Sequence, residues 1–123
     1  MEEKRVRHHK INYVEYASKD LEKTKAFFEQ AFGWVFKDYG PDYTAFEGRG
    51  NVDCGFYRAD KASNAENGGA LIVLYSEKLE ETESKVKRAG GDITKTIFDF
   101  PGGRRFHFKE PSGNELAVWG DAE

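Results

Sequence analysis

The feature that narrows the fold most is an internal repeat. The stretch SKDLEKTKAFFEQAFGW (residues 18–34) places Leu21, Thr24, Phe28 and Ala31 at helical spacing, with Phe27 and Phe32 widening the apolar stripe. The stretch SEKLEETESKVKRAGG (residues 76–91) does the same with Leu79, Thr82, Val86 and Ala89. Ser18 or Asp20 is a candidate cap for the first helix and Ser76 for the second, while Gly33 and Gly90–Gly91 are candidate stops. Asp20 and Lys78 stand 58 positions apart, as do Gly33 and Gly91.

Each helix sits in the same setting. INYVEYA precedes the first, and WVFKDY, DYTAFEG and VDCGFYRA follow it; ALIVLYS precedes the second, and DITKTIFDF, RRFHFK and ELAVWG follow it. These segments are rich in strand formers and bounded by turn residues. The reading is β-α-β-β-β, twice, with helices near 20–32 and 77–89. A half of this kind leaves one sheet face bare unless it meets another copy, so the two halves are modules of a single α+β domain spanning 1–123. Module one runs over about 11–58, a Gly/Asn/Ser/Ala-rich linker over 59–69, and module two over about 70–120. Later, EGRGN (Glu47–Asn51) matches EPSGN (Glu110–Asn114) at an offset of 63. Five residues are therefore added in module two, and FDFPGG is where they are expected.

Composition excludes several classes. A net charge of −3 gives no broad basic footprint for nucleic acid, and the basic run Lys4–Lys10 reads as a solvated tail or edge strand. No apolar run is long enough to span a membrane, and the N-terminal segment is charged rather than signal-like. The one cysteine, Cys54, forbids an intrachain disulfide and fits a reducing compartment, so a cytoplasmic location is expected. Aromatics reach 15%, which suggests a core or cavity lined with rings.

The duplicated frame, the helix ending in FGW and the PSGN turn together resemble the glyoxalase/bleomycin-resistance/dioxygenase family, also called the vicinal oxygen chelate superfamily, over about Ile11 to Trp119. The resemblance implies two modules whose curled sheets form a cup. It also implies metal ligands on the first and last strands of each module: His or Gln on the first, Glu on the last. Imidazole and carboxylate hold a divalent metal with positions open for substrate. Counted from the helix-start Asp20 and the turn residue Asn114, those four positions fall on Tyr13, Leu71, Cys54 and Ala117. Leu and Ala cannot coordinate, and neutral Tyr is a poor ligand. No cofactor is expected. A register shifted by two residues would bring Glu15 and Glu115 forward instead, which is the divalent-metal alternative.

Strand alternation then populates the cup. Ile11, Tyr13 and Glu15 share one face; Glu115, Ala117 and Trp119 share another; Cys54 brings Phe56. In RRFHFK, Phe106 and Phe108 face the helices, and Arg105 and His107 face the cup. The candidate ligand-binding residues are therefore Tyr13, Glu15, Cys54, Phe56, Arg105, His107 and Trp119. Glu15 and His107 are also the weak catalytic candidates, His107 because imidazole titrates near neutrality. Each has an ordinary reading as well: core rings, a hydrogen-bonded strand histidine, a solvated carboxylate, a small buried thiol. FPGGRR reads as a rim loop with Arg104 or Arg105 available to an anion. Expected is a metal-independent homodimer binding a small, partly aromatic or conjugated molecule; the alternative is a metal-dependent glyoxalase-like lyase or dioxygenase.

Overall fold

The computed structural model describes residues 8–48 and 52–123. Module one comprises β1 (Tyr13–Ser18), α1 (Leu21–Phe32), β2 (Phe36–Asp38), β3 (Tyr43–Phe46) and β4 (Asp53–Arg58). Module two comprises β5 (Ile72–Tyr75), α2 (Leu79–Arg88), β6 (Asp92–Phe100), β7 (Gly103–Lys109) and β8 (Glu115–Gly120). The two four-stranded sheets have the same topology, β1-β4-β3-β2 and β5-β8-β7-β6. In each, the first strand runs parallel to the last and the remaining pairs are antiparallel. β1 and β5 each have a partner on one side only.

The helix starts show the repeat atom by atom. The Ser18 hydroxyl accepts from the Asp20 N–H at 3.2 Å and lies 2.8 Å from the Thr24 hydroxyl. The Ser76 hydroxyl accepts from the Lys78 N–H at 3.0 Å and lies 2.7 Å from the Thr82 hydroxyl. Asp20 caps α1 by accepting the Lys23 N–H; Lys78 offers α2 no side-chain cap, and Ser76 bonds the Lys78 N–H and the Thr82 side chain rather than a backbone N–H of the helix. Gly33 ends α1 at φ 71°, a left-handed conformation that glycine adopts without a Cβ penalty.

Both sheets turn one face onto the helices and share one core. Phe27 and Phe28 of α1, Leu79 and Val86 of α2, Tyr16 and Phe56 of the first sheet, and Phe106, Phe108, Leu116 and Val118 of the second are buried together. Phe27 and Phe108 meet at a tilt across the module boundary with centroids 5.6 Å apart. Each such ring contributes roughly 1.5–3 kcal/mol on burial. Trp34 is held between Phe28 at 4.6 Å and Phe46 at 4.2 Å, both nearly parallel to it, so the FGW ending of the helix anchors β3.

The turn Glu110–Asn114 also joins the modules. Thr24 donates to the buried Glu110 carboxylate at 2.7 Å, and the Asn114 side-chain amide donates to the Ala17 carbonyl at 2.7 Å. Burial holds the Glu110 carboxyl above the usual carboxylate range, with the Thr24 bond opposing that shift. The corresponding turn in module one, Glu47–Asn51, falls largely outside the described residues at 49–51. The basic run Lys4–Lys10 is described only from His8 onward.

Three expectations need correction. β4 begins at Asp53 and β8 at Glu115, so the last strands are offset by 62, not 63. Module one has one residue more, Val52, between its turn and its strand, and module two has gained four residues rather than five. Because strand side chains alternate, that single residue moves Cys54 and Phe56 to the opposite face. Cys54 pairs with Val14 and Phe56 with Tyr16, and all four lie on the core side. Phe56 is fully buried, stacked on Tyr16 at 5.1 Å. Burial pushes the Cys54 thiol up to about 11, so it is an inert core group. Finally, FPGGRR is a tight turn rather than a mobile loop: β6 ends at Phe100 and β7 resumes at Gly103, so the added residues lengthen a hairpin.

Candidate functional site

The faces of the two sheets turned away from the core carry the remaining candidates. On module two, cross-strand pairing sets Val73 beside Ala117, Ala117 beside His107, and Tyr75 and Arg105 on either side of Trp119. β6 adds Lys95 opposite His107 and Phe98 opposite Arg105. The Arg105 guanidinium lies 5.9 Å from the Phe98 ring centroid and 5.5 Å from that of Phe100, within cation–π reach of both. Trp119 meets Tyr75 edge-on at 4.9 Å and Phe100 at 6.3 Å. Arg105, His107 and Trp119 are thus brought together inside a ring-lined patch. Tyr75, Phe98 and Phe100 belong to it as well; alternation within LIVLY and IFDF was the signal that would have placed them.

His107 is buried, and its Nε2 accepts from Arg105 Nε at 3.1 Å. Its Nδ1 has no hydrogen-bond partner and lies 3.8 Å from the Glu115 carboxylate. Burial, with the Arg105 and Lys95 charges nearby, lowers its pKa, while Glu115 opposes them. The imidazole is therefore neutral at pH 7, and the accepting Nε2 makes Nδ1 the protonated nitrogen. Glu115 is occupied elsewhere: it accepts the Ala65 N–H at 2.8 Å, tying the linker to β8.

On module one the face is phenolic and acidic. Tyr43 donates to Glu15 at 2.9 Å and is also hydrogen-bonded to Tyr13. Desolvation, followed by these two hydrogen bonds, raises the Tyr43 pKa, so the phenol stays protonated. Gly55 lies beneath both hydroxyls; a Cβ there would overlap their oxygens. Sequence reasoning missed Tyr43 and Gly55, although Tyr43 is two residues before Ala45 on an alternating strand.

Glu15 pairs with Gly55 and Val73 with Ala117, so the ligand positions implied by the family resemblance are Tyr13, Gly55, Leu71 and Ala117. This donor set does not fit a divalent metal. The space a ligand at 55 would fill holds the two phenol oxygens, and Leu71 and Ala117 supply no donor. The alternative pair, Glu15 and Glu115, stands on different sheets, each carboxylate already hydrogen-bonded. Among the described residues no three His, Cys, Asp or Glu side chains cluster as a metal site. No described helix is long and apolar enough to cross a membrane.

Elsewhere, a groove of about 460 Å³ runs between the β5–α2 connection and the C-terminal residues, lined by Leu79, Arg104 and Asp121 among others. Its Arg104 is committed to Glu80 through two bonds, at 2.5 and 3.2 Å.

Comparison with known proteins agrees with this architecture. A glyoxalase-related enzyme from Fulvimarina pelagi superposes with a TM-score of 0.77 at 14% identity, covering 92% of this chain and 88% of that one. A glyoxalase/bleomycin resistance protein/dioxygenase family enzyme from Burkholderia phytofirmans gives 0.75 at 14% identity, covering 89% and 97%. A mutant of a genomically encoded fosfomycin resistance protein from Listeria monocytogenes, complexed with Mn(II) and a dihydroxypropylphosphonic acid, gives 0.73 at 19%, covering 90% and 89%. At such identities the likeness is one of fold. No curated protein matches the sequence. A family model matches residues 10–118, nearly the whole chain. The chain belongs to the Glyoxalase/Bleomycin resistance protein/Dioxygenase superfamily.

Proposed function

We propose that this protein binds a small, flat, partly aromatic or conjugated molecule with an anionic end, without a metal, in a cup built from the outer faces of its sheets. The observation that carries this reading is the patch on module two: a guanidinium seated among Phe98, Phe100 and Trp119, beside a neutral histidine. Rings supply stacking area at low conformational cost, and Arg105 orients a carboxylate or phosphate. Tyr13 and Glu15 complete the site from the other face. A metal-dependent lyase or dioxygenase would need ligands that Tyr13, Gly55, Leu71 and Ala117 do not provide.

The cup is proposed to form between two copies, the outer face of one copy's first sheet meeting that of its partner's second. Tyr13, Tyr57, Tyr75, Val73 and Phe98 leave 38–50% of their surface open, and β1 and β5 are open edges. The buried, free Cys54 suits a reducing cytoplasm.

The test is thermal shift with para-methylbenzoate on protein purified without chelator or affinity metal, alongside elemental analysis. Stabilisation at well under one metal per chain is the expected result. Stabilisation only after a stoichiometric divalent metal is restored would overturn the reading.

A further inference from the structure

The outer face of module one holds a hydrogen-bond chain with a fixed direction. Tyr43 gives its only proton to Glu15. The bond between Tyr13 and Tyr43 therefore runs from Tyr13 to Tyr43, and the Tyr13 proton is used as well. What remains at the open end is the Tyr13 oxygen with its lone pairs, 42% of the residue being exposed. The chain is an acceptor array backed by a carboxylate.

Two further observations bear on what it accepts. Glu15 has no Lys, Arg or His within ion-pair distance among the described residues. Lys37, on the same face, lies over the Tyr39 ring at 5.2 Å instead. And Gly55 alone admits the arrangement, since any side chain there would displace both hydroxyls. An oxyanion or carbonyl arriving at Tyr13 would meet lone pairs, and could be bonded only by breaking the Tyr13–Tyr43 bond.

We infer that Tyr13, Tyr43 and Glu15, seated over Gly55, recognise a protonated amine at the end of the ligand opposite its anionic group. The ammonium meets phenol oxygens, a carboxylate and the negative faces of the tyrosine rings. The inference rests on the cup reading above and extends it to a ligand carrying both charges, one at each end of a flat body.

The experiment compares para-(aminomethyl)benzoate with para-methylbenzoate by calorimetric titration into metal-free protein. They share the ring and the carboxylate and differ in the ammonium group. Wild-type protein is expected to prefer the amine about tenfold, the effect of one charge-assisted contact. Glu15→Gln should bring the ratio of the two affinities to about one, and Gly55→Ala, which displaces both hydroxyls but keeps the carboxylate, should lower it. Equal affinities in the wild type, with para-methylbenzoate still dependent on Trp119, would overturn this inference and leave the cup reading standing. A preference that survives Glu15→Gln would also overturn it. So would a Glu15→Gln effect confined to dimer dissociation, because a cation of the second copy would then be the true partner. Failure of both probes to bind would overturn the cup reading and this inference together.

Discussion

The outer faces of the two sheets occupy matching positions and carry opposite chemistry. Glu15 corresponds to Val73, Gly55 to Ala117 and Tyr57 to Trp119. Module one is phenolic and acidic there; module two is aromatic and cationic. What the two faces share is a small residue at the last-strand position where the family resemblance implies a metal ligand. Gly55 lets Tyr13 and Tyr43 lie over the strand, and Ala117 leaves His107 room beside it. A missing ligand in this fold thus makes space that neighbouring side chains fill, each module in its own way. The inner faces show the contrary behaviour: Phe56, Phe106 and Phe108 join one continuous core regardless of module.

The contrast between inner and outer faces breaks most readily at Phe108. Phe108→Ala should cost about 3–5 kcal/mol of stability by urea denaturation, since it empties a fully buried site between α1 and β7. Trp119→Ala should instead weaken ligand binding by about 1–3 kcal/mol, through lost stacking and ring burial. The reverse pattern, binding lost on Phe108→Ala in a folded protein and spared on Trp119→Ala, would invert the assignment of faces.

Two smaller effects sharpen the comparison through pH. Glu110 has its pKa raised by burial, so its contribution to stability is fully present below its unfolded pKa and is lost as pH rises through the folded value. Replacing it by Gln should remove that fall from the pH–stability curve, a slope of at most about 1.4 kcal/mol per pH unit. His107 runs the other way. Its lowered pKa stabilises the fold above the unfolded value near 6.5, and the effect is lost as pH falls through the folded value. A proton NMR titration of its ring should therefore give a midpoint below 6.5; a midpoint above it would mean that Glu115 governs the ring.

How much of this was legible depended on the length scale. Periodicity gave both helices to within about two residues, because Leu21, Phe28, Leu79 and Val86 bury the stripe that the spacing marks. The facing of β7 followed from the alternation of Arg105, Phe106, His107 and Phe108 within one strand. Module one's last strand did not yield, because a turn match says nothing about one residue inserted after it. Val52 was enough to exchange Cys54 and Phe56 for Gly55 and Tyr57 on the outer face. Nor did pattern reveal the Tyr13–Tyr43–Glu15 chain, which joins residues 28 and 30 positions apart and depends on what Gly55 lacks.

The central claim is that ligand binds at the outer face of module two in the absence of metal. The chain has two tryptophans, one on each side of the question. Trp34 is clamped in the core rings, and Trp119 lies in the proposed site. An indole N–H NMR spectrum therefore contains one reporter of each. Titrating para-methylbenzoate into metal-free protein should shift the Trp119 resonance progressively and leave that of Trp34 in place. Movement of Trp34 alone, or no movement of either until a divalent metal is added, would contradict the account.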